Sequence, residues 1–227
     1  MNSGCQYVVF QMESLSDRDG FVRGNSNYLN LLKQASGVWD YNEANRDYLG
    51  QHGCKNVAHI PIGYSTVLER IRHSHVSEKD IDVLFCGAMN ERRRKVVQAL
   101  RDSGMKVEAP FGVYGQARDQ WIARAKIVLN LHQFETTQLE TVRVSYLLNN
   151  RCFVISESSD SNPYDDGVVF ASYGDLVDCC QKYLSPGMDA ERERIAQLGY
   201  DSLKSIPMLQ QLKSALAQHE IFATQHH

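Results

Sequence analysis

No apolar run in the chain approaches the roughly 18 residues needed to span a bilayer. Met1 to Gln6 offers neither a basic n-region nor an apolar h-region. These absences make a soluble, cytoplasmic chain the expectation. The six cysteines (Cys5, Cys54, Cys86, Cys152, Cys179 and Cys180) form no CxxC and keep no regular spacing, which speaks against a disulfide scaffold. Two of them sit in strand-like runs, DVLFCG and RCFVIS, so buried reduced thiols are expected. Positive charge is not in excess: 24 Lys and Arg against 27 Asp and Glu give a net charge of -3. No global field therefore draws nucleic acid or an anionic membrane, and any anion site must be local. Internal repeats and low-complexity tracts are absent, and no GxGxxG follows a strand, which disfavours a dinucleotide enzyme.

What is present is an ordinary globular composition, 43% hydrophobic and 22% charged in 227 residues. That length suits one full domain plus part of a second. Short β-rich runs alternate with helical patterns. Residues 7–12, 37–41 and 56–62 read as strands, with helices over 27–35 and 42–51 between them. Residues 64–80 are polar, with one helical turn pattern in VLERIRHSHVSEKD and no strand, so the boundary is placed there: 1–78 form a first, partial Rossmann-like domain with its linker, and 79–227 form a second. The second opens with strand 81–86 and helix 91–103. It continues with strand 106–109, helix 117–125, strand 126–131, helix 140–149, strand 152–156, strand 167–171 and helix 175–184. Helices over 189–200 and 202–219 close the chain, broken from the rest by Pro186 and Gly187. The fold class is α/β, with parallel sheets covered on both faces by crossover helices.

Parallel sheets bind ligands beyond the carboxyl ends of their strands, so a site is expected in the loops after strands. Gly87 to Asn90 leads into Glu91-Arg92-Arg93-Arg94-Lys95 at a helix start. Basic side chains are misplaced there, because the helix dipole already puts about half a positive charge at that end. A phosphate or diphosphate would repair this, and a solvated basic face paired to Glu91 is the plainer alternative. The loop PFGVYG presents Phe111 and Tyr114, either to a flat ligand such as a nucleobase or as a structured turn. In LNLHQFETTQLETVRVSYLL an apolar strand gives way to His132, Glu135, Thr136, Thr137 and Glu140, before a helix carrying Arg143 and Tyr146. Such a polar concentration suits sugar hydroxyls. A fourth loop, residues 156–160, is polar and follows another buried strand. The Asp-x-Asp pairs at Asp17 and Asp80 match a short acidic metal-binding pattern but lie in a Gly-rich loop and at the start of a strand, and the histidines His73, His75 and His59 near Cys54 fit no structural zinc spacing. No metal ligand set is assigned.

Residues 123–157, ARAKIVLNLHQFETTQLETVRVSYLLNNRCFVISE, resemble the donor-binding segment of GT-B glycosyltransferases, in particular the group 1 family and its spore-maturation-protein-like relatives. Arg143-Val144-Ser145-Tyr146 takes the position of the family's Arg-x-aromatic-Glu helix pattern, and Phe153 to Glu157 that of its strand ending in Ser-Glu. Tyr146 stands where a ribose-binding Glu is usual, and Asn149-Asn150-Arg151 replaces a small-residue turn. The resemblance extends to residues 82–104, similar to the first strand-loop-helix of a donor domain, and to 38–64, similar to the end of an acceptor domain. It implies transfer of a sugar from a nucleotide-diphosphate sugar to a glycan, lipid or protein acceptor, without a metal or other cofactor and with retention of configuration. By the same resemblance Arg92, Arg94, Arg143, Thr141, Tyr146, Gly87, Phe111 and Tyr114 would hold the nucleotide, and Glu140, Glu135 and His132 would form the catalytic set. The first segment is about half the length of a full acceptor domain. A partner subunit or a second copy of the chain would then complete it, and a non-catalytic nucleotide- or partner-binding module is the competing reading.

Overall fold

A computed structural model describes residues 6–15, 25–135 and 138–224. The chain divides into two compact units, Met1–Gly63 with Ile206–His227, and Tyr64–Ser205.

In the first unit, β1 (Val8–Gln11), β2 (Gly37–Asp40) and β3 (Val57–His59) form a parallel sheet in sequence order. Between them run α1 (Ser26–Gln34) and α2 (Glu43–Gln51). Asn42 caps α2, its side chain accepting from the Ala44 N–H at 2.9 Å. Leu32, Val38 and Leu49 are fully buried at the centre. A polar network closes the carboxyl end of the sheet. The Asp40 carboxylate accepts from Gln11 Nε2 at 2.8 Å, from the Asn42 N–H at 2.8 Å and from Asn45 Nδ2 at 3.2 Å. Burial of Asp40 pushes its carboxyl above the usual range, with these donors pulling the other way.

The second unit holds β4 (Ile81–Leu84), α3 (Glu91–Asp102), β5 (Val107–Glu108), α4 (Gly115–Arg124), β6 (Ala125–Asn130) and α5 (Thr141–Asn149). It continues through β7 (Val154–Glu157), β8 (Val169–Ala171), α6 (Leu176–Leu184) and α7 (Asp189–Lys204). The five strands are all parallel, in the order β5-β4-β6-β7-β8. Such a sheet needs apolar side chains on both faces, and the strands supply them by alternation. Ile127, Leu129 and Ile155 pack under α3 and α6, while Val128 and Val154 pack under α4 and α5. Each fully buried side chain of this kind contributes about 1.5–3 kcal/mol. A close approach ties α7 into the unit: a Cβ on Gly167 would lie 2.2 Å from the Cα of Gly199, so neither position tolerates a side chain.

The expected α/β class and parallel sheets are present, and three particulars differ. Residues 64–80 belong with the second unit, where the sequence suggested a boundary near 78. The Asn149 and Asn150 side chains bind that segment. Asn149 Oδ1 accepts from the Ser65 N–H at 2.9 Å, and Asn150 Oδ1 from the Arg70 and Ile71 N–H groups at 2.8 and 3.0 Å. Asn150 Nδ2 donates to the Leu68 carbonyl at 2.9 Å. The closing helices break later than expected. α7 runs unbroken to Lys204, and Pro207 precedes α8 (Met208–Thr224), which belongs to the first unit. The expected helical turn in 64–80 is two 3-10 turns, Thr66–Leu68 and Val76–Glu78. Cys54, Cys152 and Cys180 are buried free thiols, and Cys86 and Cys179 are free and partly covered. Cys5 lies outside the described residues, as do Asp17, Thr136, Thr137 and His226.

Candidate functional site

β4, β6 and β7 are neighbours at the middle of the five-stranded sheet, and their carboxyl ends carry a single polar cluster. α3 delivers its arginines there because Asn90 caps it, the Asn90 carbonyl group of the side chain accepting from the Arg93 N–H at 2.9 Å. Arg92 forms a two-pronged ion pair with Glu157, at the end of β7, with NH1 to Oε2 at 2.7 Å. Its guanidinium also stacks on the Tyr173 ring at 4.1 Å. Arg93 is 1% exposed. It donates to the Ala88 carbonyl at 2.8 Å and the Leu131 carbonyl at 2.6 Å, and lies 3.8 Å from Glu140. Burial, with Arg143 and Arg92 nearby, pulls its pKa down to about 10, so it stays charged at neutral pH.

Arg143, one turn into α5, donates to Asn130 Oδ1 at 2.9 Å. Asn130 ends β6 and is fully buried; its amide group donates to Glu140 Oε2 at 2.9 Å and to the Ser156 hydroxyl at 3.0 Å. Glu140 Oε2 also faces His132 Nδ1 at 2.9 Å, and His132 Nε2 faces the Ser158 carbonyl at 3.0 Å. Both imidazole nitrogens thus meet acceptors, which is satisfied only when both carry protons. Burial works against that charge, but the hydrogen bond and charge of Glu140 outweigh it and raise the His132 pKa. In the same way burial raises Glu140, and His132, Asn130 and Arg143 together hold its carboxyl below the usual range. Three guanidiniums and an imidazolium against two carboxylates leave the cluster positive.

Gly87 lies against this cluster. A Cβ there would meet Phe85 at 3.0 Å and Arg143 NH2 at 3.2 Å, so the residue is small because the guanidinium passes over it. Thr141 opens α5, whose first turn has no acidic residue and whose N-cap, Glu140, makes no side-chain cap bond. The other expected residues lie apart. Arg94 is on the exposed face of α3, and Glu135 is exposed in the loop after β6. Phe111 and Tyr114 are 76% and 77% exposed after β5. Among the described residues no hydrogen bond, ion pair or ring contact joins either aromatic to the guanidiniums. Tyr146 turns to α4 instead. Its hydroxyl donates to Asp119 at 2.7 Å and Arg118 covers its ring at 4.3 Å. Asp80 and Asp82 are engaged by Arg124 and Lys126, and His75 caps a 3-10 turn.

Two members of the cluster, Asn130 and Glu157, received no role from the sequence, and Arg93 was one of three neighbouring arginines among which it did not choose. Arg93 was detectable. It begins an i, i+3, i+4, i+7 stripe with Val96, Val97 and Leu100, all buried, whereas Arg94 falls off that stripe. Asn130 and Glu157 each end an apolar strand, a position that marks a strand terminus without naming its partner.

No family model matches the chain. Solved structures do. The structure of TarM superposes with a TM-score of 0.63 at 12% identity, covering 96% of this chain and 51% of TarM. A glycosyltransferase from Rickettsia africae ESF-5 superposes with a TM-score of 0.55 at 7% identity, covering 95% of this chain and 70% of that one. The fold is GT-B. Among curated proteins, the uncharacterized protein L140 of Acanthamoeba polyphaga mimivirus is 30% identical over 138 residues, 57% of this chain and 45% of L140. The uncharacterized protein R358 of the same virus is 26% identical over 169 residues, 69% of this chain and 58% of R358. The chain thus spans about half the length of L140 and of TarM. Among the described residues no helix is long and apolar enough to cross a membrane.

Proposed function

We propose that the chain transfers a sugar from a nucleoside-diphosphate sugar, and that the diphosphate sits against Arg92, Arg143 and the start of α5. The observation that carries this reading is the positive surplus at the carboxyl ends of β4, β6 and β7, beside a helix start without a side-chain cap. Departure of a nucleoside diphosphate develops negative charge on the leaving oxygen. Guanidiniums and helix amides already in place stabilise that charge without reorganising at the moment of reaction. Arg93, sealed beneath them, fixes the ends of β4 and β6 through the Ala88 and Leu131 carbonyls rather than touching substrate. Glu140 is the carboxylate with partial access to solvent, its side chain 24% exposed, and it is placed to receive a sugar hydroxyl. Retention of configuration rests on the family resemblance alone; the anomer first released on donor hydrolysis, read by proton NMR, would contradict it by appearing inverted.

A second reading has its own support. Arg92 is already bound through both terminal nitrogens to Glu157, and Arg143 to Asn130, so these two guanidiniums are engaged without a ligand. A module that binds nucleotide and does no chemistry fits that arrangement. Calorimetric titration with UDP, GDP and other nucleoside diphosphates, followed by turnover of the matching nucleotide sugars, decides between the two. Binding with donor hydrolysis or transfer supports the enzyme, and binding without turnover supports the module. Arg143→Glu is expected to weaken the diphosphate by at least about ten-fold, the usual consequence of removing one charge-assisted contact. Unchanged affinity would remove Arg143 from the site.

A further inference from the structure

A second cavity, of about 300 Å³, opens at the other end of the same sheet. Its walls come from the residues that enter β4, β6 and β7 and from the first turns of α7. Lys126 lies four residues before Asn130 in β6, or about 13 Å along the strand at 3.3 Å per residue. The cavity is therefore separate from the arginine cluster.

Four cations line it: Lys79, Lys126, Arg151 and Arg192, with two carboxylates, Asp189 and Glu193. Three of the cations hold a carboxylate already: Lys126 with Asp82 at 2.7 Å, Arg151 with Glu69 at 3.6 Å, and Arg192 with Asp189. Lys79 does not. Among the described residues no carboxylate comes within ion-pair distance of its ammonium, which is half-buried and held below its ordinary pKa by desolvation. His73 also lines the cavity, and its buried Nδ1 has no hydrogen-bond partner while Nε2 faces the Asn150 carbonyl at 2.6 Å. A half-buried ammonium and an unmet imidazole nitrogen in one cavity are costs that a ligand would relieve. Lysine carries three N–H donors and arginine five, so the paired cations keep donors to spare.

We infer that this cavity binds a small hydroxylated phosphomonoester, its phosphate on Lys79 and the neighbouring cations and its hydroxyls on Glu193, Gln197 and Ser74. A phosphomonoester needs several convergent cations, which this wall has and a single salt bridge lacks. The carboxylate of Glu193 and the amide of Gln197 accept from hydroxyl groups, and Phe153 and Ala196 give the carbon skeleton an apolar floor. The volume matches the lower end of small-ligand sites. The inference does not depend on the proposed transferase activity, because it shares no residue with that site.

Ribose 5-phosphate is the probe, titrated into the full chain by calorimetry with inorganic phosphate and ribose as comparison ligands and with the response to UDP measured separately. The expected result is binding of ribose 5-phosphate more tightly than either fragment. Lys79→Gln is expected to weaken it about ten-fold or more, as loss of one charged contact does, with Arg143→Met leaving it unchanged. Lys79→Arg, which keeps the charge, should retain most of the affinity, and the melting temperature of each variant checks that it folds. Absence of binding, equal affinity for inorganic phosphate, displacement by UDP, or indifference to Lys79→Gln would each overturn the inference.

Discussion

At the scale of single residues, the chemistry of the strand-end cluster is governed by pairs that hold each other's charge. His132 and Glu140 are the clearest case. The folded His132 pKa is raised above its ordinary 6.5, so its contribution to stability is fully present below 6.5 and is lost as pH rises through the folded value. The folded Glu140 pKa is lowered below its ordinary 4.5, so its contribution is present above 4.5 and is lost as pH falls through the folded value. The pair therefore stabilises the fold most between about 4.5 and 6.5. Glu140→Gln removes the carboxylate that holds the imidazolium, and the His132 pKa is expected to fall below its wild-type value. Proton-carbon NMR of the imidazole Cε1 across a pH titration reads this directly. An unmoved titration would mean that the Ser158 carbonyl, and not Glu140, holds the second proton. Denaturant melts of wild type and variant should draw closer above the folded His132 pKa, leaving the part of the difference that Arg143, Arg93 and Asn130 contribute through Glu140.

At the scale of elements, periodicity and loop position were legible and partnership was not. The alternation of Ile127, Val128 and Leu129 declares a strand buried on both faces, and the stripe through Val96, Val97 and Leu100 declares which side of α3 is covered. The resemblance over residues 123–157 points to two of the three strand ends that carry the cluster, those of β6 and β7. What the linear order hides is that residues 130, 140 and 157 meet, since their distance in space is set by strand order and not by spacing. Tyr146 shows the same limit: nothing local in its sequence says that Asp119, on another helix, accepts its hydroxyl. The turn Asn149-Asn150 is a third case. Two consecutive asparagines read as turn chemistry, yet each is buried and serves as a clamp on the 64–73 segment. Asn150→Ala would leave the Arg70 and Ile71 N–H groups and the Leu68 carbonyl without that partner. Orphaned buried groups cost about 1–3 kcal/mol each; water reaches part of this segment, so a total loss of about 2–4 kcal/mol is expected from urea unfolding. Hydrogen exchange at the Arg70 and Ile71 amides should quicken, and unaltered protection there would show that the clamp does not hold the segment.

At the scale of the whole molecule, the division at Tyr64 and Ser205 has a consequence for what can be cut away. All the residues that form the strand-end cluster lie inside 64–205, as do both apolar layers of the five-stranded sheet. A unit with its own two-sided core, every central strand paired and its entry segment pinned by Asn149 and Asn150, meets the conditions for folding alone. Residues 64–205 expressed by themselves are therefore expected to melt in one cooperative transition and, if the nucleotide site is as proposed, to bind the nucleoside diphosphate within a few-fold of the full chain. If the proposed transferase activity holds and the first unit meets the acceptor, transfer to an acceptor should be lost. Scanning calorimetry separates the outcomes: a broad, non-cooperative trace would show that the core of the five-stranded unit depends on residues outside 64–205. A cooperative melt with no nucleotide shift, against a clear shift in the full chain, would place part of the binding surface on the first unit and return the three-stranded sheet, with its buried Asp40, to the search for substrate contacts.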